Sequence, residues 1–216
     1  MTDPHFFKFR TVAVALALTL LLALPAALSA EVTSRDLTVG VGGARIHLLN
    51  PSGMIRVDGS GPEADRLLTI FKDQDEDDRT LAFYAEPKTW ENFKKAVSRP
   101  GSGADLDYFA FIMVPSNYID KSVSLEDFQA WLARVSAADK FKDCEKGERF
   151  ITCRLNMGED GLLAVMTHIL VEGKFLALGT FSGPQNQLAD QFIPSALEWR
   201  DAYLEITKPT KERILR

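Results

Sequence analysis

Residues 162–181 read LLAVMTHILVEGKFLALGTF, and the way this stretch divides decides the fold. Two apolar runs, 162–171 and 175–181, flank Glu172 and Gly173. Short apolar runs around such a pair predict an antiparallel hairpin with a tight turn. Upstream, 149–155 is a further strand, so three strands follow one another. Downstream, Leu188, Phe192, Ala196, Trp199 and Tyr203 recur at helical spacing over four turns, with Pro184 as an early helical residue. A polar tail over 209–216 follows.

Working back toward the N-terminus, LTVG and ARIHLL are short strands around Gly42 and Gly43, and Pro51, Ser52 and Gly53 break the chain after them. Residues 66–71 form a short buried element. TLAFYA (80–85) and LDYFAFIMV (106–114) are strands. Between them, Trp90, Phe93 and Val97 give 89–98 one apolar helical face, ended by Pro100 and Gly101. Ser124 opens the next helix with Asp127 three residues on, and Phe128, Trp131, Leu132 and Val135 form its stripe.

Strands in runs, with helices set among them without regular alternation, imply an α+β class: a mainly antiparallel sheet covered by three amphipathic helices, in one domain over 31–208. Trp90, Trp131 and Trp199 all fall on apolar helix faces, the position of residues that clamp helices onto a sheet.

The chain has 216 residues, with 25 basic and 30 acidic side chains and a net charge of −5. That balance speaks against nucleic-acid binding, which needs a basic footprint on phosphates. Its opening has the parts of an export signal. Lys8 and Arg10 precede an uncharged run from Val12 to Leu24, Pro25 interrupts it, and Ala26, Ala27, Ser29 and Ala30 make a small-residue exit. Residues 1–30 are therefore expected to be a signal peptide, cut after 29 or 30. The alternative is an uncleaved anchor, because residues 12–30 approach the ~20 needed to cross a bilayer. No later segment is long and apolar enough, so no stable membrane insertion is expected after cleavage.

An exported chain is periplasmic or secreted, where two cysteines form a disulfide most simply. Cys144 and Cys153 bracket CEKGERFITC, with Gly147 available for the turn. Eight intervening residues do not make the CxxC of a redox-active site.

The remaining constellations are sparse. Asp73, Asp75 and Asp77 imitate the first three ligands of a calcium loop, but Asp78 stands where the loop needs glycine and Tyr84 where it needs a bidentate glutamate. A solvated acidic loop is the simpler reading. His47 and His168 lie in strands without an HExxH or clustered partner and read as structural histidines on a polar strand face. Gly101-Ser102-Gly103 lacks a strand-to-helix elbow, and Gly40, Gly42 and Gly43 precede a strand where a dinucleotide site needs a helix. Asp105 with Asp107, and Glu159 with Asp160, are acidic pairs without a convergent partner. No catalytic residue, metal site or cofactor is assigned.

The order of elements resembles the PsbP-like group, which takes in the extrinsic photosystem subunit and small bacterial exported proteins. The resemblance is carried by LTVGVGGARIHLLNPSG, by the strand pair at 162–181 and by the closing helix QNQLADQFIPSALEWRDAYL, over most of residues 36–206. It implies an αβα sandwich acting as a non-enzymatic accessory or binding module, and it transfers no site residue. Lipoproteins of the group carry a lipid-modified cysteine that this chain lacks.

Two functions follow as expectations. One is an exported accessory or binding protein with an unknown protein or small-molecule partner. The other is a small extracytoplasmic hydrolase whose acid and base meet only in three dimensions, which requires His47 or His168 beside a carboxylate and a hydroxyl. A calcium-stabilised loop at 73–78 is a third.

Overall fold

The computed structural model describes residues 38–59, 61–65, 78–98, 108–136, 144–157, 162–183 and 189–207. Their elements are β1 (Thr38–Val41), β2 (Ala44–His47), β3 (Ile55–Arg56), β4 (Arg79–Ala85), α1 (Pro87–Val97), β5 (Tyr108–Val114), α2 (Leu125–Ser136), β6 (Glu145–Lys146), β7 (Phe150–Met157), β8 (Leu162–Val171), β9 (Lys174–Ser182) and α3 (Ala189–Ile206). A 3-10 turn, Ser116–Tyr118, follows β5. The expected leader at 1–30, the element at 66–71, Leu188, Pro184 and the tail lie outside the described residues.

β1 and β2 pair with each other, and the other seven strands form one sheet in the order β3-β4-β5-β9-β8-β7-β6, antiparallel at every junction. The α+β reading holds. β8 and β9 are the anticipated hairpin, turning at Glu172 and Gly173, both with positive φ. A non-glycine residue there is uncommon and sits in the small left-handed region.

Alternation along the strands sends side chains to opposite faces. One face packs Ala82, Tyr84, Ala110, Ile112, Val165, Ile169, Leu176 and Leu178 against Phe192, Ala196, Trp199 and Tyr203 of α3 and Val41 and Ile46 of the β1–β2 hairpin. The other packs Phe83, Phe111, Met166, Ala177 and Phe181 against Trp90 and Phe93 of α1. Beside that second cluster, Phe128 of α2 covers Leu170 and Phe175, and Val135 covers Ile151 and Cys153. The result is three layers, with α1 and α2 on one face and α3 with the hairpin on the other.

Local chemistry sets the element ends. Glu86 caps α1 by accepting a hydrogen bond from the Thr89 N–H at 2.7 Å, with Pro87 at the first helical position, so the helix starts two residues before the 89 read from sequence. Ser124 caps α2 as expected, accepting from the Asp127 N–H at 3.0 Å while its hydroxyl donates to the Asp127 carboxylate at 2.6 Å. The α3 face is fixed to the hairpin exit through the main chain of one residue: the Leu49 N–H donates to the Tyr203 hydroxyl at 2.9 Å, and Trp199 donates to the Leu49 carbonyl at 2.7 Å.

Cys144 and Cys153 are disulfide-bonded, with a Cα–Cα distance of 4.5 Å. Glu145 opposes Thr152 in the ladder, so the two cysteines face each other one step further along. That separation is the spacing of a non-hydrogen-bonded antiparallel pair. Closing a ring this small contributes roughly 2–3 kcal/mol in the chain-entropy treatment.

Two outcomes are expected. Replacing both cysteines by serine lowers the unfolding free energy by roughly 2–3 kcal/mol, read as a lowered denaturant midpoint. Gly42→Ala, at φ +45 with an added methyl driven into the Ile119 backbone carbonyl as well as 2.6 Å from the Lys174 ammonium nitrogen, destabilises by about 1–3 kcal/mol, whereas Gly40→Ala, with open space around it, does not.

Candidate functional site

The sequence-derived candidates separate in space. Cys144 and Cys153 are consumed by the disulfide. Asp73, Asp75 and Asp77 lie outside the described residues, as do Ser102, Asp105, Asp107, Glu159 and Asp160. Asp78, next to the acidic run, accepts a hydrogen bond from the Ser116 N–H at 2.7 Å and so anchors the 3-10 turn. His47 is exposed, with its Nδ1 3.4 Å from the Thr38 hydroxyl. Among the described residues no group of three His, Cys, Asp or Glu side chains is placed to hold a metal ion.

His168 departs from its expected place. It does not lie on a polar strand face but on the aromatic side of β8, its ring 5.5 Å from that of Trp131 and 5.6 Å from that of Phe175. Nδ1 is sealed from solvent without a hydrogen-bond partner among the described residues. Loss of hydration disfavours the imidazolium and pulls the pKa down to about 4. Among the described residues no carboxylate or hydroxyl is hydrogen-bonded to this nitrogen.

The rings around His168 belong to a cleft of about 220 Å³ lined by Tyr118, Lys121, Asp127, Phe128, Trp131, Arg134 and Phe175, with Ser122, Val123 and Ala130. Its floor is an aromatic set. Phe175 stacks on Tyr118 at 4.7 Å between centroids and meets Trp131 edge-on, also at 4.7 Å. Phe128 closes the back at 5.6 Å from Phe175. Phe128 and Phe175 are buried, while Tyr118 and Trp131 are half-buried and reach the opening. Trp90 and Trp199 clamp their helices as expected. Trp131 differs, because only part of it is spent on packing.

Three charged side chains stand at the rim. Asp127 is engaged with the Ser124 hydroxyl. Lys121 lies 6.0 Å from the Tyr118 ring centroid, and neither it nor Arg134 pairs with a carboxylate among the described residues.

The loop carrying Lys121 is fastened from below by Lys174, whose side chain is 2 % exposed. Its ammonium donates to the Lys121 carbonyl at 2.7 Å and the Ile119 carbonyl at 3.4 Å. A buried cation survives only when its protons find such acceptors. The Val123 N–H donates to the Gly173 carbonyl at 2.8 Å, a second tie between this loop and the β8–β9 turn. A second cavity, lined by Cys144, Glu145, Thr152, Arg154 and Leu197, has mainly polar walls and no aromatic ring. Ligand sites are lined mainly by apolar and aromatic groups with a few placed polar ones, which is the character of the first.

Sequence reading found Phe128 and Trp131 as helix-packing positions but not the cleft. Tyr118, Lys121 and Phe175 come from other elements, and no periodicity links them to α2. No protein-family model, curated protein or solved structure matches the chain.

The position of His168 has a consequence for pH. The unfolded chain protonates this histidine near its ordinary pKa of 6.5, while the native state resists until about 4. The unfolded state therefore binds more protons in that window, and stability falls as pH drops from 6.5 toward 4. In a His168→Phe variant this part of the slope is expected to vanish, measured as the difference between the two proteins' unfolding free energies at pH 7 and pH 4.5.

Proposed function

We propose that this chain is an exported, non-enzymatic accessory protein that holds a partner protein at the aromatic cleft between the 3-10 turn, α2 and β9. The observation that carries the reading is the cleft itself. Four aromatic rings from three elements converge on it, and Trp131 and Tyr118 leave part of their surface open. Half-exposed Trp and Tyr beside cations are the side chains that anchor protein interfaces.

Supporting the accessory reading, His168 is held uncharged among rings with no partner for its Nδ1 among the described residues, and both thiols are tied in one bridge. Supporting export, the first thirty residues have the charge, apolar run and small-residue exit of a signal, and a disulfide suits an oxidising compartment. Among the described residues no helix is long and apolar enough to cross a membrane. The PsbP-like resemblance agrees with this function and rests on the order of elements alone.

Site-directed photo-crosslinking in the native cell tests the reading. A photoreactive residue at Ala130, exposed on the cleft wall, is expected to yield a discrete crosslinked protein, and one at Glu91, on the outward side of α1, is not. Equal yields at both positions exclude the cleft as the site. Mass spectrometry of the same natural product is expected to show a chain starting at residue 30 or 31 with no free thiol; an intact leader with reduced cysteines refutes export.

A further inference from the structure

We propose that the cleft takes an acidic segment of the partner protein, which inserts one apolar side chain against Phe175 and Trp131 while its flanking carboxylates meet Lys121 and Arg134. The inference rests on the cleft being the binding site and adds the chemistry of what enters it.

Size comes first. A cleft of about 220 Å³ is smaller than the roughly 300–1,000 Å³ of sites that enclose a whole small ligand. It matches one large side chain, delivered by a larger molecule that makes its remaining contacts outside. The floor asks for an apolar or aromatic group. Phe175 and Phe128 bring no polar atom, Trp131 offers its edge-on ring, and His168 beneath them is neutral above pH of about 4.

Charge then selects what surrounds that group. The cleft is lined by two cations and one carboxylate, so its lining carries more positive than negative charge even with Asp127 counted. Lys121 and Arg134 have no carboxylate of their own among the described residues, in a chain whose acidic residues outnumber its basic ones by 30 to 25. In such a chain, two cations without a carboxylate partner among the described residues, beside half-buried rings, are complementary to an anion. Arg134 follows Trp131 by three residues on α2, and the Lys121 ammonium lies 6.0 Å from the Tyr118 ring centroid in the loop ahead of that helix. Cations from two segments of the lining are therefore offered to acidic groups that flank one inserted side chain. The Lys174 ammonium holds the Lys121 backbone in place, so the wall is formed before the partner arrives.

The test uses the mature, disulfide-intact protein and a fluorescein-labelled nonapeptide carrying one phenylalanine between runs of aspartate. Controls are the same peptide with alanine for phenylalanine and with lysine for aspartate, and phosphatidylglycerol vesicles of matched charge. Fluorescence anisotropy is expected to show binding of the aspartate–phenylalanine peptide and at least tenfold weaker binding of both peptide controls. Combined Lys121→Glu and Arg134→Glu substitution, both at exposed positions, is expected to weaken it by at least tenfold, and doubling the salt to weaken it further. Trp131→Ala is expected to abolish the preference for phenylalanine over alanine, with circular dichroism confirming the fold.

Equal binding of the lysine peptide, indifference to the charge reversal, or binding of the vesicles alone overturns the proposal. If crosslinking at Ala130 captures a protein while the acidic peptide does not bind, the chemistry is wrong and the site is right. If Ala130 captures no more than Glu91, both are wrong.

Discussion

The central strand β9 is buried along all nine of its residues, and this constraint organises the molecule. A strand covered on both faces needs apolar partners on both, so helices must cross the sheet above and below. α3 answers Leu176 and Leu178, and α1 answers Ala177 and Phe181. At the N-terminal end of β9 the same demand falls on α2, which covers Phe175. There the cover is incomplete, because Phe128 sinks fully into the core while Trp131, one turn on, is left half-buried. The cleft is thus the place where the layer over β9 runs out.

A second device keeps that incomplete corner rigid. Lys174 opens β9 with a buried ammonium whose hydrogen bonds go to main-chain carbonyls of the loop ahead of α2. Gly42 of the β1–β2 turn approaches the same nitrogen so closely that a side chain there would collide with it. One cation therefore ties the 3-10 turn's exit to the start of β9, with the hairpin turn packed closely against it. Lys121 shows the division of labour within a single residue: its carbonyl is fixed and its side chain is exposed at the rim.

Much of this fold was legible in the sequence because its signals are local. The Glu172-Gly173 turn, the Ser124 cap and the apolar stripes of three helices depend on residues a few positions apart. Glu86 was missed because glutamate is not among the usual caps, and its role appears only with Pro87 behind it. The candidate site was not legible, since its members are distant in the chain: Tyr118 and Phe175 stack across 57 positions. His168 was misplaced for a related reason. Strand alternation says that a residue faces one side, but not that both sides are covered, and here the face opposite the α3 core is as apolar as the core itself. Lys174 reads as an ordinary turn-flanking cation until the carbonyls of Ile119 and Lys121 are seen above it.

The chain's overall charge bears on how an acidic partner would meet this cleft. A net charge of −5 repels an acidic molecule at long range, so the global field offers no steering toward the rim. At physiological salt that repulsion fades beyond about 8 Å, while contacts made at the rim are partly desolvated and less screened. Attraction is therefore confined to the few ångströms around Lys121 and Arg134. Charge under these conditions does little for the rate of encounter and a good deal for its register, because an apolar side chain that lands away from this rim forgoes its neighbours' contacts with Lys121 and Arg134. The rings supply the contact area and the two cations decide which side chain, in which orientation, is allowed to use it.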